Sequence, residues 1–247
     1  MIDFHNHIIP NLDDGSNSIE MSLNMLKEAQ SQGITDVINT VHFQHPKMLS
    51  KNTDYDFVIS EVKKMEEVAK SNGININIYP ASEVFFQFNL TEILDNKITT
   101  FGNGKYMLIE FQKLSFPKNY EDEIFKLQLK GITPIMAHPE RYRGIQKDVK
   151  LAKEWIERGY LIQIDCASIV GGFGKEIQRV SLELLKNGFC HLVGSDAHND
   201  KRRNFLMKPA LKKIGEIINQ DAVEIIRDNS VRILNGNDCL SYSVQNI

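Results

Sequence analysis

The amino-acid sequence predicts an α/β barrel of parallel strands, and three observations carry that expectation. A short apolar, β-branched run, a polar loop and an amphipathic helical stretch recur about seven times along the chain. Glycine stands just before several of the runs, at Gly33, Gly73, Gly131, Gly159 and Gly188, where a left-handed helix C-cap is expected. The chain has 247 residues, close to the roughly 250 of a one-domain barrel. Alternating strands and helices of this length argue for βαβ units. So many units in one chain argue for closure rather than an open sheet, with a single domain over 1–247.

The elements follow in order. Ile2–Phe4 is the first strand. Ile19–Ser31 carries Ile19, Leu23, Leu26 and Ala29 at helical spacing. Asn17 is placed to cap it, with Glu20 three residues on as a capping-box partner. Ile34–Val41 is the second strand. Phe57–Lys70 follows as a helix, with Val58, Val62, Met65 and Val68 on one face. Ile74–Ser82 is the third strand. The stretch from Phe85 to Lys105 is irregular, with an extra short helix near Thr91–Asp95. Tyr106–Ile109, Thr133–Ala137, Leu161–Ile164 and His191–Gly194 complete the strands. Helices are expected over Tyr120–Lys130, Val149–Arg158, Glu176–Asn187, Phe205–Asn219 and Ala222–Leu234. The polar tail after Gly236 reads as loose.

Composition narrows the function. Hydrophobic residues are 42% and charged residues 25%, which excludes wholesale disorder. The net charge of −3 and pI near 6.2 leave no basic excess for a nucleic-acid backbone, so no nucleic-acid partner is expected. Cys166, Cys190 and Cys239 form no CxxC pair, and their odd number argues against a disulfide framework. The opening residues lack a basic segment followed by an apolar run, so no signal peptide is expected. No apolar run approaches the roughly 18 residues of a membrane span. The cytoplasm is the expected compartment.

The chemistry lies in where His, Asp and Glu fall. His5 and His7 end the first strand, His42 the second, Glu83 the third, Glu110 the fourth and His138 the fifth. Asp196 and His198 follow the last, and Asp14 lies in the first loop. In an α/β barrel the carboxyl ends of all strands converge on one face, so these nine metal-competent side chains gather in one basin. Taken singly, His42, His138 or Glu110 reads as a hydrogen-bonded core residue. The pair His5 and His7 says more, because residues i and i+2 of a strand face the same side. A buried charge without a partner costs several kcal/mol, which makes a purely structural cluster of nine implausible and a metal cluster the arrangement that stabilises it. Mixed imidazole and carboxylate donors suit Zn, Mn or Fe. So many donors fit two or three divalent ions with a bridging carboxylate. Such a cluster lowers the pKa of a bound water and clamps a phosphoryl oxygen, which points to phosphoester hydrolysis with an activated water attacking phosphorus.

Two arginines complete the pattern. Arg141 follows His138-Pro139-Glu140, and Lys201-Arg202-Arg203 follows Asp196-Ala197-His198. Guanidinium forks match phosphate oxygens. Arg141 and Arg203 are therefore the expected phosphate-binding residues, with Arg143 and Arg202 as competitors and a solvated loop as the bland alternative. Neither is expected to touch an ion or the core, so replacing either should leave metal content and melting temperature near wild type.

The HxH at 5–7, Asp14 in Leu-Asp-Asp-Gly, Thr-Val-His42, Ser-Glu83, Leu-Ile-Glu110-Phe, Ala-His138-Pro-Glu-Arg141-Tyr and Gly-Ser-Asp196-Ala-His198 resemble the polymerase-and-histidinol-phosphatase (PHP) family. Within it, the motifs are most similar to the bacterial manganese-dependent protein-tyrosine phosphatases of capsular and exopolysaccharide loci. The resemblance runs from residue 1 to about 235. It implies a distorted (β/α)7 barrel, in keeping with the strand count. It also implies a ligand scheme: His5, His7, Glu83 and Asp196 on one ion; Glu83, Glu110 and His138 on a second; Asp14, His42 and His198 on a third. Acidic residues at 14 and 110, which are His in some PHP phosphatases, fit the tyrosine-phosphatase branch. Manganese is the implied metal, with Fe, Co or Zn compatible. The implied substrate is a phosphotyrosine protein, the tail of a bacterial tyrosine autokinase. His45 matches no motif position and is expected to line the entrance.

The motifs leave other readings open. One is a small-molecule phosphatase such as a histidinol-phosphate phosphatase. Another is an amidohydrolase barrel, which usually carries a modified lysine where this chain has Glu110. A third is a metal-free PHP binding module, which would show substituted ligand positions. A Cys-based phosphatase is excluded, because Gly172, Asp196 and Gln245 stand six residues after the three cysteines, where an arginine is required.

Overall fold

Strand pairing follows chain order. In the computed structural model, which describes residues 1–48 and 54–242, seven parallel strands form one sheet ordered β1 to β7. They are β1 (Ile2–Asn6), β2 (Asp36–Phe43), β3 (Asn77–Phe85), β4 (Tyr106–Glu110), β5 (Thr133–Ala137), β6 (Leu161–Asp165) and β7 (Leu192–Gly194). The ends meet through a parallel bridge between Asn6 and Ala197, with Asp196 N–H donating to His5 O at 2.7 Å and His7 N–H to Ala197 O at 2.9 Å. The expected barrel is therefore present and nearly closed. The helices are α1 (Ile19–Ser31), α2 (Tyr55–Ser71), α3 (Tyr120–Leu129), α4 (Arg143–Lys147), α5 (Lys150–Glu157), α6 (Cys166–Val170), α7 (Lys175–Lys186), α8 (Met207–Ile217) and α9 (Gln220–Leu234).

Several boundaries differ from the sequence reading. Ser18, not Asn17, caps α1 and accepts from Met21 N–H at 3.1 Å. The short helix expected near Thr91–Asp95 is a run of turns, and a 3-10 turn forms instead at Lys97–Thr99. The five predicted C-cap glycines all take positive φ. After Gly33 and Gly73, Ile34 and Ile74 donate back to Ala29 O and Ala69 O at 3.1 and 3.0 Å. This is the six-to-one bond of a Schellman cap. Those two isoleucines therefore close helices rather than open strands. The segment after Gly236 packs through Tyr242: Leu240 N–H donates to Asn229 Oδ1 at 2.7 Å, and the buried Tyr242 hydroxyl donates to Leu185 O at 3.0 Å. The rest of the tail expected to be loose, 243–247, lies outside the described residues.

Period-two alternation explains how a dry core and a polar site share one barrel. Phe4, Ile38, Ala81, Leu108, Ile135 and Leu192 fill the interior, while Met25, Val62, Ile124, Trp155 and Leu184 belong to the layer between sheet and helices. Stepping by twos up the inward face leads from Ile38 to His42, from Ala81 to Glu83 and from Leu108 to Glu110. In β1 a register shift between Asp3 and Asn6 changes the phase, so that Phe4 joins the core and His5 and His7 both join the site. His138 would fall on the wrong parity after Ala137, and its φ of 36° corrects this. Asp196, just after β7, also takes a positive φ, 48°. Positive φ is uncommon for a non-glycine residue and accumulates at functional sites.

Candidate metal centre

Two close approaches shape the floor of the site. A Cβ on Gly194 would lie 2.6 Å from His5 Cβ and 2.9 Å from Gln163 Nε2, and one on Gly15 would lie 2.4 Å from His7 Cβ. Glycine at these positions lets both imidazoles sit flush with neighbouring backbone. Each ring is then locked by its Nδ1. His5 Nδ1–H donates to Gln163 Oε1 at 3.0 Å, and His7 Nδ1–H donates to Asp13 Oδ2 at 2.7 Å. Asp13 is itself held by the N–H groups of His42 and Gly15. An imidazole that donates from one nitrogen presents a lone pair at the other.

Those two Nε2 atoms face each other at 3.3 Å. Glu83 Oε2 lies 3.3 Å from His5 Nε2 and 3.5 Å from His7 Nε2, and Asp196 Oδ1 lies 3.5 Å from each. Five of the six edges of a tetrahedron thus measure 3.3–3.5 Å. The centre of such a tetrahedron is about 2.1 Å from each corner, the bond length of a divalent ion to nitrogen or carboxylate oxygen. Four lone pairs aimed at one buried point repel unless a cation sits between them. Without an ion, protons take that role. Burial opposes a charge on His5, but Glu83 and Asp196 outweigh it and push the ring up to about 9. Burial likewise opposes His7, which Asp13 above all raises well above its ordinary value. Burial would raise Glu83, yet His5, His42 and His138 hold it well below the usual carboxylate range.

The remaining donors form two adjoining sets. His138 Nε2 lies 2.8 Å from Glu83 Oε1 and 3.9 Å from Glu110 Oε1, and Glu110 Oε2 lies 3.8 Å from His42 Nδ1. Burial and the neighbouring Glu83 charge raise Glu110, and its buried Oε2 has no hydrogen-bond partner among the described residues. On the other side, Asp14 Oδ1 lies 3.3 Å from both His42 Nε2 and His198 Nε2. The groupings His5–His7–Asp196, His5–Glu83–His138, His42–Glu83–Glu110 and His7–Asp14–His42–His198 each bring donor atoms within 4.8 Å of one another. All nine predicted donors are thus gathered, and the donor set fits metal ions.

The arginines are placed differently from the sequence expectation. Arg141 is not a rim residue detached from core and ions. It is nearly buried in a 3-10 turn over Pro139–Arg141, and its Nη1 donates to Asp165 Oδ2 at 2.8 Å and to Asp196 Oδ2 at 2.5 Å. Arg203, more open, donates from Nη2 to the same Asp196 oxygen at 2.5 Å. Asp196 therefore divides its carboxylate, with Oδ1 in the tetrahedron and Oδ2 under two guanidinium groups. The Nε of Arg203 is buried with no hydrogen-bond partner among the described residues. Arg143 and Arg202 do not line the cavity, whereas Arg141 and Arg203 do.

That cavity holds roughly 500 Å³ and is also lined by Lys113, His45, Phe85, Phe111 and Leu114. His45 does line it, with Nε2 4.0 Å from Glu110. The sequence reading missed Asp13, Gln163, Asp165 and Lys113. Asp165 ends β6, where the strand-end rule applies, but the apolar run of the sixth strand stops at Ile164. Asp13 stands beside Asp14 in Leu-Asp-Asp-Gly, and spacing alone does not divide their roles.

Comparison with known proteins supplies the context. The profile of a family described as capsular polysaccharide synthesis, CpsB/CapC, matches residues 1–235. CapC of Staphylococcus aureus is 34% identical over 84% of this chain and 81% of its own length. The tyrosine-protein phosphatase YwqE of Bacillus subtilis (strain 168) is 32% identical over 95% of this chain and 91% of its own. A chain from the crystal structures of YwqE from Bacillus subtilis and CpsB from Streptococcus pneumoniae, metal-dependent tyrosine phosphatases, superposes with a TM-score of 0.92. It shares 30% identity and covers all of this chain and 99% of the other. A β-aspartyl dipeptidase from Fervidobacterium islandicum AW-1, at 17% identity and a TM-score of 0.51, shares the fold alone.

Proposed function

The chain belongs to the capsular polysaccharide synthesis family CpsB/CapC, and on that premise we propose that it is a metal-dependent phosphatase that removes phosphate from tyrosine in a protein substrate. The observation that carries the reading is the tetrahedron of His5, His7, Glu83 and Asp196, five of whose edges measure 3.3–3.5 Å, the spacing that a divalent ion at its centre would fill. We assign Glu83, Glu110 and His138 to a second ion, and Asp14, His42 and His198 to a third. Two or three ions, manganese first among them, would lower the pKa of a bound water and polarise a phosphoryl oxygen. The protein supplies the rest. Arg141 and Arg203 flank the cavity from the side of Asp196, and their guanidinium N–H groups would be the donors to phosphate oxygens. Phe85, Phe111 and Leu114 give the cavity apolar lining suited to an aryl leaving group. The proposed substrate is the phosphorylated tail of a bacterial tyrosine autokinase governing polysaccharide export. The proposed place is the cytoplasm, in keeping with three free cysteines. No helix among the described residues is long and apolar enough to cross a membrane.

Side-by-side rates test the substrate class. The manganese-loaded protein should hydrolyse a phosphotyrosyl peptide faster than histidinol phosphate at equal concentration, and the reverse order would overturn the protein-substrate reading.

The arginines should separate by burial. A charge-assisted hydrogen bond to phosphate is worth roughly 1.5–3 kcal/mol, so Arg203→Ala should lower kcat/KM by about 10- to 150-fold. Its melting temperature should stay within about 3 °C of wild type, because Asp196 keeps Arg141. Lysine should rescue only partly, since a point charge cannot reproduce the fork. Arg141→Ala should also destabilise. Asp196 keeps Arg203, but the buried Asp165 loses its cation, and breaking a buried pair costs about 3–5 kcal/mol, roughly 10 °C for a chain of this size. Calorimetry beside steady-state kinetics checks both, and wild-type turnover in Arg203→Ala would remove that residue from the site.

A further inference from the structure

Arg141 and Arg203 share a neighbour that the functional reading leaves unused. Phe173 stands in the Gly-Gly-Phe-Gly loop 171–174 between α6 and α7. The Arg141 Cζ lies over its ring, 5.2 Å from the centroid, and the Arg203 Cζ lies 5.8 Å from it. The ring is half-buried and belongs to neither apolar cluster of the barrel, so core packing does not account for it. The loop is tied down: Gly172 N–H donates to Ala167 O at 2.7 Å, and Gly174 N–H to Gly171 O at 3.1 Å. The aromatic side chain is therefore held in place over two cations.

We propose that Phe173 is a positioning residue for the phosphoryl grip, an inference that rests on reading Arg141 and Arg203 as the phosphate-binding pair. Two guanidinium groups converge on one oxygen of Asp196 and repel each other. Asp165 already takes a hydrogen bond from Arg141 Nη1, and a further carboxylate beside the pair would occupy the remaining donors and compete with phosphate. An aromatic face attracts both cations through its quadrupole and accepts no conventional hydrogen bond. It fixes the guanidinium planes and leaves N–H donors for an incoming oxyanion. A ring over both groups also restricts their rotamers before substrate arrives, so less freedom is lost on binding.

The test uses the metal-loaded full chain with Phe173→Leu, which keeps apolar bulk and removes the π face, and Phe173→Tyr, which keeps the face. Orthophosphate is the probe, titrated by calorimetry, with metal content and melting temperature measured on the same samples. The leucine variant should bind orthophosphate about 3- to 30-fold more weakly, with metal content unchanged, and tyrosine should restore affinity to within about two-fold. On p-nitrophenyl phosphate, kcat/KM should fall in parallel with phosphate affinity. Wild-type phosphate affinity in the leucine variant overturns the proposal. So does a tyrosine variant as weak as the leucine one, or a loss explained by lost metal. Should the leucine variant fail to fold, phenylalanines of increasing fluorination at the same position preserve shape. Affinity must then fall with fluorination, and a flat series overturns the idea. Failure of the functional reading shows separately, as a wild-type protein that neither binds orthophosphate nor hydrolyses the aryl ester.

Discussion

Chelation should abolish hydrolysis of an aryl phosphate, added Mn(II) should restore it, and iodoacetamide should leave it nearly untouched. The first two outcomes follow from a buried donor set whose only compact filling, besides protons, is metal ions. The third follows from the thiols. Cys166 and Cys190 are buried, and burial pushes both far above the ordinary thiol range; Cys239, partly buried, is pushed up to about 12. None is poised as a thiolate nucleophile. Restoration should also release protons. In the ion-free protein His5 is raised to about 9, so near pH 7 it is protonated, and an incoming ion must displace that proton. Apparent metal affinity should therefore weaken as pH falls below that value. Calorimetric titration in two buffers of different ionisation enthalpy reads the protons directly. Activity that survives chelation but dies on alkylation would reverse the mechanism, and buffer-independent binding heats would contradict the protonated ion-free state.

Most of the barrel was legible because strands buried on both faces read as apolar runs, and because helices end in glycine caps. The errors at the carboxyl ends of the strands have one physical source. Hydropathy ends a strand at its first inward polar residue, yet the ladder runs on, because those polar residues are the site. Hence β2 continues to Phe43, β3 to Phe85, β4 to Glu110 and β6 to Asp165. At the other end, Ile34 and Ile74 read as strand by hydropathy although they seal the preceding helices. Helices α4 and α6 have five residues each, too few for a helical period to show.

The nine donors were legible as a set because strand-end position is a one-dimensional signal. Their supports were not. Gln163 faces inward between two outward isoleucines and carries no metal-ligand signature, although it fixes the His5 tautomer. The pairing of Arg141 with Asp165 joins residues 24 apart and depends on how the turn after β5 leans across β6. Phe173 lacked any signal, since a lone aromatic among glycines reads as loop until two guanidinium groups are found over it.

Glu83→Ala should strip more metal than any other single ligand change, and His42→Ala distinctly less. Glu83 Oε1 meets His138 at 2.8 Å, while Oε2 faces His5, His7 and His42 at 3.3, 3.5 and 3.2 Å. One carboxylate thus touches the donors proposed for every ion. It also carries negative charge into a floor where His5 and His7 would otherwise stand as neutral or mutually repelling rings. Removing it takes a shared ligand from two ions at once and weakens the field that concentrates cations at the third. His42 is placed otherwise. Its Nε2 faces Asp14, half-exposed at the rim, and its Nδ1 faces Glu83. Its loss leaves the tetrahedron of His5, His7, Glu83 and Asp196 whole. Elemental analysis after gel filtration should find the Glu83 variant nearly metal-free and the His42 variant short of about one ion. Turnover should follow: a shared ligand whose loss empties two sites should cost activity by well over the 10- to 100-fold typical of an outer support to a metal. Equal metal loss in the two variants would show that Glu83 is not shared, and full metal retention in Glu83→Ala would remove the carboxylate from the centre altogether.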